Sequence, residues 1–306
     1  GDIRRGFLKG LDINSSINSI VFKKPFIAKK NDTKEKLLKI ALSKKIYQIP
    51  VVDKNYKVIG LHVLDELIKT KKKSNLVVIM AGGRGMRLRP LTKNIPKPML
   101  KVGNKPILQT IMEKFIESGY DNFIICVNYK SKVIIDYFGN GKKFGANIEY
   151  VQEKARMGTA GALSLFKKKI KEPIFVINGD VLINLDFEKM LNFHQEHNSK
   201  ATMCIKEYNV KLPYGEVKLK KENIDSIEEK PKHKFFVNTG IYILDPKCIN
   251  LIPKKFYDMT SLFKKMIDKK EKIISFPLGE NWIDIGRLVD YDKANNDYYS
   301  IFNEIE

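Results

Sequence analysis

Cysteine, arginine and tryptophan are scarce in this 306-residue chain, and no apolar run is long enough to cross a membrane. The three cysteines, Cys126, Cys204 and Cys248, stand far apart and lack metal-ligand spacing. That excludes a disulfide scaffold and a thiolate zinc site, and it points to a reducing compartment, the cytoplasm. The four histidines, His62, His194, His197 and His233, form neither a triad nor a zinc pattern. His194 and His197 are expected on a polar helix, exposed. The N-terminus shows no secretory signal pattern.

The shortage of arginine bears on the net charge of +21, because only seven of the basic residues are Arg against 49 Lys. Base readout and bidentate phosphate gripping favour Arg. The lysines are instead dispersed in short runs such as 71–73, 167–169 and 269–270. Solvated lysine faces are the better reading, so neither nucleic acid nor a membrane is an expected partner. The positive field still attracts small anionic substrates.

From residue 75 onward, short apolar runs alternate with helical patterns. "NLVVIM" (75–80), "NFIICV" (122–127), "NIEYV" and "PIFVINGD" read as strands; "KPILQTIMEKFIESG" (105–119) and "SKVIIDYFG" (131–139) read as helices with glycine stops. The alternation predicts a mostly parallel sheet covered by helices. From about 200 the strands crowd together ("ATMCIKEY", "GEVKLKKENIDSIEEKP", "FFVNTGIYIL"), which predicts an antiparallel addition, and a helix from about Arg287 closes the chain. Before residue 73 the pattern differs: residues 33–68 read helix, strand, turn, strand, helix.

After the first of these strands comes "AGGRGMRLRPLTKNIPKPM" (81–99). Gly82, Gly83 and Gly85 allow tight bends and bring bare N–H groups against phosphate oxygens. Arg87 offers a planar fork and Lys97 a compact charge. No Gly-Lys-Ser/Thr follows, so this is not a Walker loop, and Arg87 stands where the dinucleotide fingerprint has its third glycine.

Residues 76–302 resemble a sugar-1-phosphate nucleotidyltransferase through five ordered blocks. These are the loop, "EKARMGTAGAL" (153–163), "NGD" (178–180), "EEKP" (228–231) and "WIDIG" (282–286). The resemblance implies an α/β fold with a Rossmann-like mixed, mostly parallel sheet over 75–306. It implies transfer of a nucleoside monophosphate from an NTP to a sugar 1-phosphate with release of pyrophosphate. It places Ala81, Gly82, Gly83, Gly85, Arg87, Lys97, Glu153, Gly158, Thr159 and Asp180 on the nucleotide. Gly215, Glu229, Lys230, Asn238 and Trp282 fall on the sugar side, where Trp282 either walls the pocket or packs in the core. Asp180 and Asp284 are the implied holders of Mg²⁺, for which hard carboxylate oxygens are suited. Arg87, Lys97, Asp180, Lys230 and Asp284 together form the implied catalytic set.

The base is read from Glu153, five positions before Gly158. Uridylyl- and thymidylyltransferases carry Gln there, matching a pyrimidine imide edge. A carboxylate accepts both adjacent donors of guanine, N1–H and the 2-amino group, which favours GTP. Gln152 stands beside it, and a one-residue slip restores the pyrimidine pattern.

Residues 18–70 resemble one CBS repeat through "IYQIPVVDKNYKVIGLHVLDEL", and "GDIRRGFLKG" (1–10) resembles the tail of a preceding repeat. A partial α+β CBS module over 1–72 is therefore expected, with most of the first repeat missing before Gly1. An intact pair would take an adenine nucleotide or support a homo-oligomer. Within the family the combination most resembles the glucosamine-1-phosphate guanylyltransferases of bacterial legionaminic acid biosynthesis. The alternatives are mannose- or heptose-1-phosphate guanylyltransferases and glucose-1-phosphate uridylyl- or thymidylyltransferases. From another class comes a catalytically inactive, nucleotide-sensing regulatory subunit.

Overall fold

The computed structural model describes residues 6, 8–12, 15–19, 21–64, 67, 72–167, 169–279 and 281–302. They divide into two compact units, Gly1–Lys71 and Lys72–Glu306. In the first, β1 (Ala28–Lys29) pairs in parallel with β2 (Gln48–Val52), which forms an antiparallel hairpin with β3 (Val58–Val63). Between β1 and β2 runs α1 (Lys34–Lys44), started by the Thr33 hydroxyl accepting the Lys36 N–H and ended by Lys45 in the left-handed region. The Asp53 carboxylate fixes the hairpin turn by accepting the N–H groups of Asn55 and Lys57. A small core of Ala28, Leu37, Ala41, Ile49, Val51 and Leu67 joins helix to sheet. The expected second helix of this unit and most of the 1–10 segment lie outside the described residues.

The second unit is built on a seven-stranded sheet. Its strands in chain order are β4 (Val77–Met80), β7 (Asn122–Val127), β8 (Asn147–Gln152), β9 (Ile174–Asn178), β11 (Ala201–Lys211), β14 (Lys232–Leu244) and β15 (Ile273–Pro277). Two-residue strands β5 (Lys101–Val102) and β6 (Lys105–Pro106) form a separate turn, and β10 (Val181–Ile183) and β16 (Trp282–Asp284) a separate ladder. The sheet order is β15-β11-β14-β9-β4-β7-β8. Only β14 is antiparallel to its neighbours β9 and β11; the remaining pairings are parallel. Within this sheet the predicted antiparallel addition is a single strand, and β15 returns in parallel beside β11. The run "GEVKLKKENIDSIEEKP" forms the antiparallel hairpin of β12 (Glu216–Lys220) and β13 (Asn223–Glu228).

Alternate residues of each central strand face opposite layers, which is why the strands read as unbroken apolar runs. Val77, Ile79, Phe123, Ile125, Phe175 and Ile177 enter one core with α2 (Ile107–Glu117), α3 (Ser131–Phe138) and α4 (Phe187–Glu196). Val78, Ile124, Cys126, Ile174 and Val176 enter the other, beneath α5 (Met259–Asp268). The closing helix α6 (Leu288–Phe302) is tied to the β5 turn, where the Tyr291 hydroxyl donates to the Lys101 carbonyl and Asn295 accepts the Gly103 N–H.

His194 corrects its expected exposure. It is 2% exposed, its Nδ1 is 2.8 Å from the Thr202 hydroxyl, and burial pushes its pKa down to about 4. His197, three residues on, is exposed as expected. No helix among the described residues is long and apolar enough to cross a membrane.

The first core centres on Phe115, fully buried and stacked on Phe187 with ring centroids 3.7 Å apart. Tyr120, Phe123 and Phe175 meet it edge-on. Phe115→Ala should cost about 3–5 kcal/mol, the range for emptying a buried aromatic site. Urea unfolding followed by fluorescence of Trp282, the one tryptophan, should show that loss as an earlier midpoint.

Candidate active site

Strand β9 ends at Asn178, and the chain turns over the end of β4 at Gly179. A Cβ at Gly179 would stand 2.9 Å from the Met80 carbonyl oxygen, so only glycine permits this crossing. Asp180 follows directly, and the chain then enters β10. That strand pairs antiparallel with β16, setting Val181 opposite Asp284, while the Ile285 N–H donates to the Asp180 carbonyl at 3.1 Å. A three-residue ladder thus brings two aspartates from distant motifs to one place. That place lies outside the carboxyl ends of parallel strands, where open α/β sheets receive ligands.

The glycine loop leaves β4 with Ala81 buried and its N–H donated to the Cys126 carbonyl, so that donor is not available to a ligand. Gly82 and Gly83 come next, then Gly85 at φ +62°, where a Cβ would meet Thr92 Cγ2 at 2.9 Å. The Thr92 hydroxyl donates to the Gly85 carbonyl at 2.7 Å, and the Tyr129 hydroxyl donates to the carbonyls of Thr92 and Lys93. These bonds brace the loop from behind. Its front opens on a cavity of about 700 Å³ lined by the loop and by Lys97, Asn128, Asn178, Asp180 and Asp284. The size is that of an ordinary small-molecule site.

Charge in the cavity is layered. Buried Lys97 forms an ion pair with Asp180 Oδ2, whereas the buried Oδ1 of Asp180 has no hydrogen-bond partner among the described residues. Asp284 is open to solvent as a residue, yet protein crowds its carboxyl. That burial raises its pKa, and the Asp180 charge raises it further against the pull of Lys97 and Arg87. The Arg87 guanidinium reaches under Gly286, 3.7 Å from where a Cβ would stand. An orphaned carboxylate oxygen beside a second, electrostatically strained carboxylate is a donor set that fits a divalent cation. Among the described residues no cluster of three or more protein ligands surrounds it, so oxygens of a bound anion would have to complete the shell.

Glu153 sits just past β8, 5% exposed, with Oε2 accepting the Met157 N–H at 3.1 Å. Its Oε1 lies 2.7 Å from where a Cβ of Gly82 would stand, and it lines a recess continuous with the loop residues Gly82 and Gly83. Burial raises its pKa; the Met157 N–H opposes this. Gln152 is exposed and faces a different cavity. Gly158, at φ +75°, packs against the Tyr257 carbonyl. Thr159 lines the recess while its hydroxyl accepts the Met259 N–H at 2.8 Å and its N–H donates to Asp258 at 3.0 Å. The 157–161 segment is therefore fastened to the start of α5.

The sugar-side residues stand apart from these cavities. Gly215 faces Glu229, where a Cβ would meet Oε2 at 3.0 Å, and Glu229 and Lys230 are exposed beside the β12–β13 hairpin. The Asn238 amide donates to the Tyr242 hydroxyl at 2.6 Å. Trp282 is half-buried against the first core and its indole N–H donates to the Thr239 carbonyl. None of the five lines the loop cavity. Conversely, Asn128, Asn178 and Arg156 line it without having been singled out in the sequence, and Asn178 Oδ1 is buried without a partner among the described residues. The two asparagines stand at the carboxyl ends of β7 and β9, and that position is the signal that would have found them.

A family model described as Nucleotidyl transferase matches residues 76–300. The chain is 35% identical over 224 residues to Mannose-1-phosphate guanyltransferase 2 of Candida glabrata, covering 70% of this chain and 62% of that protein. It is 36% identical over 227 residues to the Bifunctional protein GlmU of Methanocaldococcus jannaschii, covering 71% of this chain and 53% of that protein. The chain thus spans less than two thirds of the length of these relatives. Among solved structures, HddC from Yersinia pseudotuberculosis complexed with GMP-PN superposes with a TM-score of 0.56 at 27% identity, covering 73% of this chain and 99% of that one.

Glu153 carries a stability signature. A carboxyl whose folded pKa is raised contributes stability that is present in acid and is lost as pH rises through that pKa. Its burial therefore makes the fold weaker at neutral pH than in acid. Glu153→Gln should therefore melt higher than wild type at about pH 8, with the gap closing towards about pH 4. Thermal melts across that range check it; a variant less stable at every pH would contradict it.

Proposed function

The chain belongs to the nucleotidyl transferase family, and on that premise we propose that it transfers GMP from GTP to the phosphate of a sugar 1-phosphate. A phosphate oxygen of the sugar 1-phosphate attacks the α-phosphorus of GTP, the bond to the β-phosphate bridging oxygen breaks, and pyrophosphate leaves. Both reactants are anions, so the protein's task is alignment and neutralisation, with no covalent nucleophile. Bare N–H groups of the glycine loop, Arg87 and Lys97 receive the triphosphate. Asp180 holds Lys97 in place through their ion pair. Asp180 and Asp284 would hold Mg²⁺, which supplies charge neutralisation to the phosphates. Lys230 is assigned to the sugar phosphate and Glu229 to a sugar hydroxyl on the motif alone; the 211–231 region would have to approach the loop cavity to serve them.

The observation that carries guanine is Glu153, buried at the recess wall with one carboxylate oxygen directed over Gly82 while Gln152 faces elsewhere. The guanyltransferase name of the fungal relative and the guanine nucleotide in the HddC structure support the same base. For the sugar, the resemblance favours glucosamine 1-phosphate and the fungal relative's name favours mannose 1-phosphate; both belong in the assay. The CBS reading of 18–70 is proposed on the sequence match, with the helix-and-hairpin arrangement in its support. An adenine nucleotide in an intact pair, assembly as a homo-oligomer and a place in legionaminic acid supply belong to the same proposal.

Two substitutions test it. Asp180→Asn should lower kcat by orders of magnitude, because it removes charge stabilisation from a phosphoryl transfer and frees Lys97. A near-normal rate in saturating Mg²⁺ would reject the assignment. Wild type should prefer GTP over UTP, dTTP and ATP by roughly tenfold to several hundredfold in kcat/KM, the range set by about 1–3 kcal/mol for an unpaired buried polar group. Glu153→Gln should erode that preference mainly through GTP, and a preference for UTP in wild type would pass the reading role to another residue.

A further inference from the structure

The recess walled by Glu153 encloses about 160 Å³, far less than the loop cavity beside it, so it suits one flat heterocycle and not a whole nucleotide. Arg156 is the one cation among the described residues that line the recess, and it lines the loop cavity as well. Glu153 stands three positions earlier on the same wall, yet the two opposite charges form no ion pair. No carboxylate partners Arg156 elsewhere among the described residues. Its guanidinium lies over the half-exposed ring of Phe256, 5.5 Å from the centroid. The five donors of a guanidinium lie in its plane, so a ring against its face leaves the donors at its edge free.

The backbone holds both side chains in register. The Glu153 N–H donates to the Val127 carbonyl, the Met157 N–H donates to Glu153 Oε2, and the Tyr257 N–H donates to the Met157 carbonyl. Arg156 is therefore presented from a three-residue span fixed at each end. A carboxylate and a guanidinium left unbridged on one wall match a ligand that sets adjacent donors beside adjacent acceptors. Guanine does so: N1–H and the 2-amino group lie together, and O6 and N7 follow around the ring edge. Adenine carries a 6-amino donor where guanine has O6, and a pyrimidine has no N7. We propose that Arg156 is a second base-reading residue, which donates to O6 and N7 of guanine while Glu153 accepts from N1–H and the 2-amino group. The assignment deepens the guanine reading of this site and rests on it. Arg suits the task because its planar fork matches the spacing of the two acceptors.

Base analogues that differ by one group test it on the whole chain. 7-Deaza-GTP lacks only the N7 acceptor, and ITP lacks only the 2-amino donor. Wild type should use 7-deaza-GTP about tenfold less well than GTP in kcat/KM, as expected for loss of half a bidentate contact. Arg156→Met should bring that ratio close to one and leave the penalty for ITP in place. Arg156→Lys should retain part of the N7 penalty, since an ammonium still donates to this edge. Glu153→Gln should do the converse, shrinking the ITP penalty while the N7 penalty stays. A merely structural role for Arg156 would lower the use of GTP, ITP and 7-deaza-GTP alike, and that result would overturn the proposal. So would a wild type that prefers GTP over UTP yet uses 7-deaza-GTP as well as GTP; the guanine reading would then stand without Arg156. A wild type that prefers UTP would remove the guanine reading itself, and this assignment with it.

Discussion

The site depends on one electrostatic constraint: two carboxylates, Asp180 and Asp284, are brought to one place by the fold. Like charges repel, and the repulsion grows where protein replaces water around them. The fold answers with Lys97 paired to Asp180 and with Arg87 beneath Gly286, yet burial, with the Asp180 charge added to it, keeps the pKa of Asp284 raised. The residual strain is a standing demand for further positive charge. A metal-bound nucleotide would meet it, which makes the binding of charge and the assembly of the site one event.

Holding this arrangement is work for the sheet. The β10–β16 ladder is short, and it is clamped by the crossing at Gly179 and by α6, which reaches back to the β5 turn. Burying both faces of the parallel strands leaves their carboxyl ends as the one place where irregular loops converge. Glu153 stands there with its pKa raised by burial.

Much of this was legible in the chain. Strands with apolar runs and helices with glycine stops lie where periodicity places them, because local patterning and tertiary burial agree there. The misses share a physical cause. His194 looked exposed because its partner, the Thr202 hydroxyl, is on the next strand and leaves no local pattern. The adjacency of Asp180 and Asp284 comes from a three-residue ladder too short to show periodicity; motif resemblance alone drew attention to both. Asn128 and Asn178 were missed because single amides carry meaning only once the strand ends are seen to meet.

On the function proposed, a sugar phosphate attacks the α-phosphorus of a guanine nucleotide in the loop cavity. Incubating the chain with α-³²P-labelled GTP, Mg²⁺ and glucosamine 1-phosphate or mannose 1-phosphate tests it most directly. Label should move into a sugar-bearing product in step with pyrophosphate release, and γ-labelled GTP should leave no label on the sugar. Release of labelled orthophosphate from γ-labelled GTP, or no transfer to either sugar while another NTP is used, would contradict it.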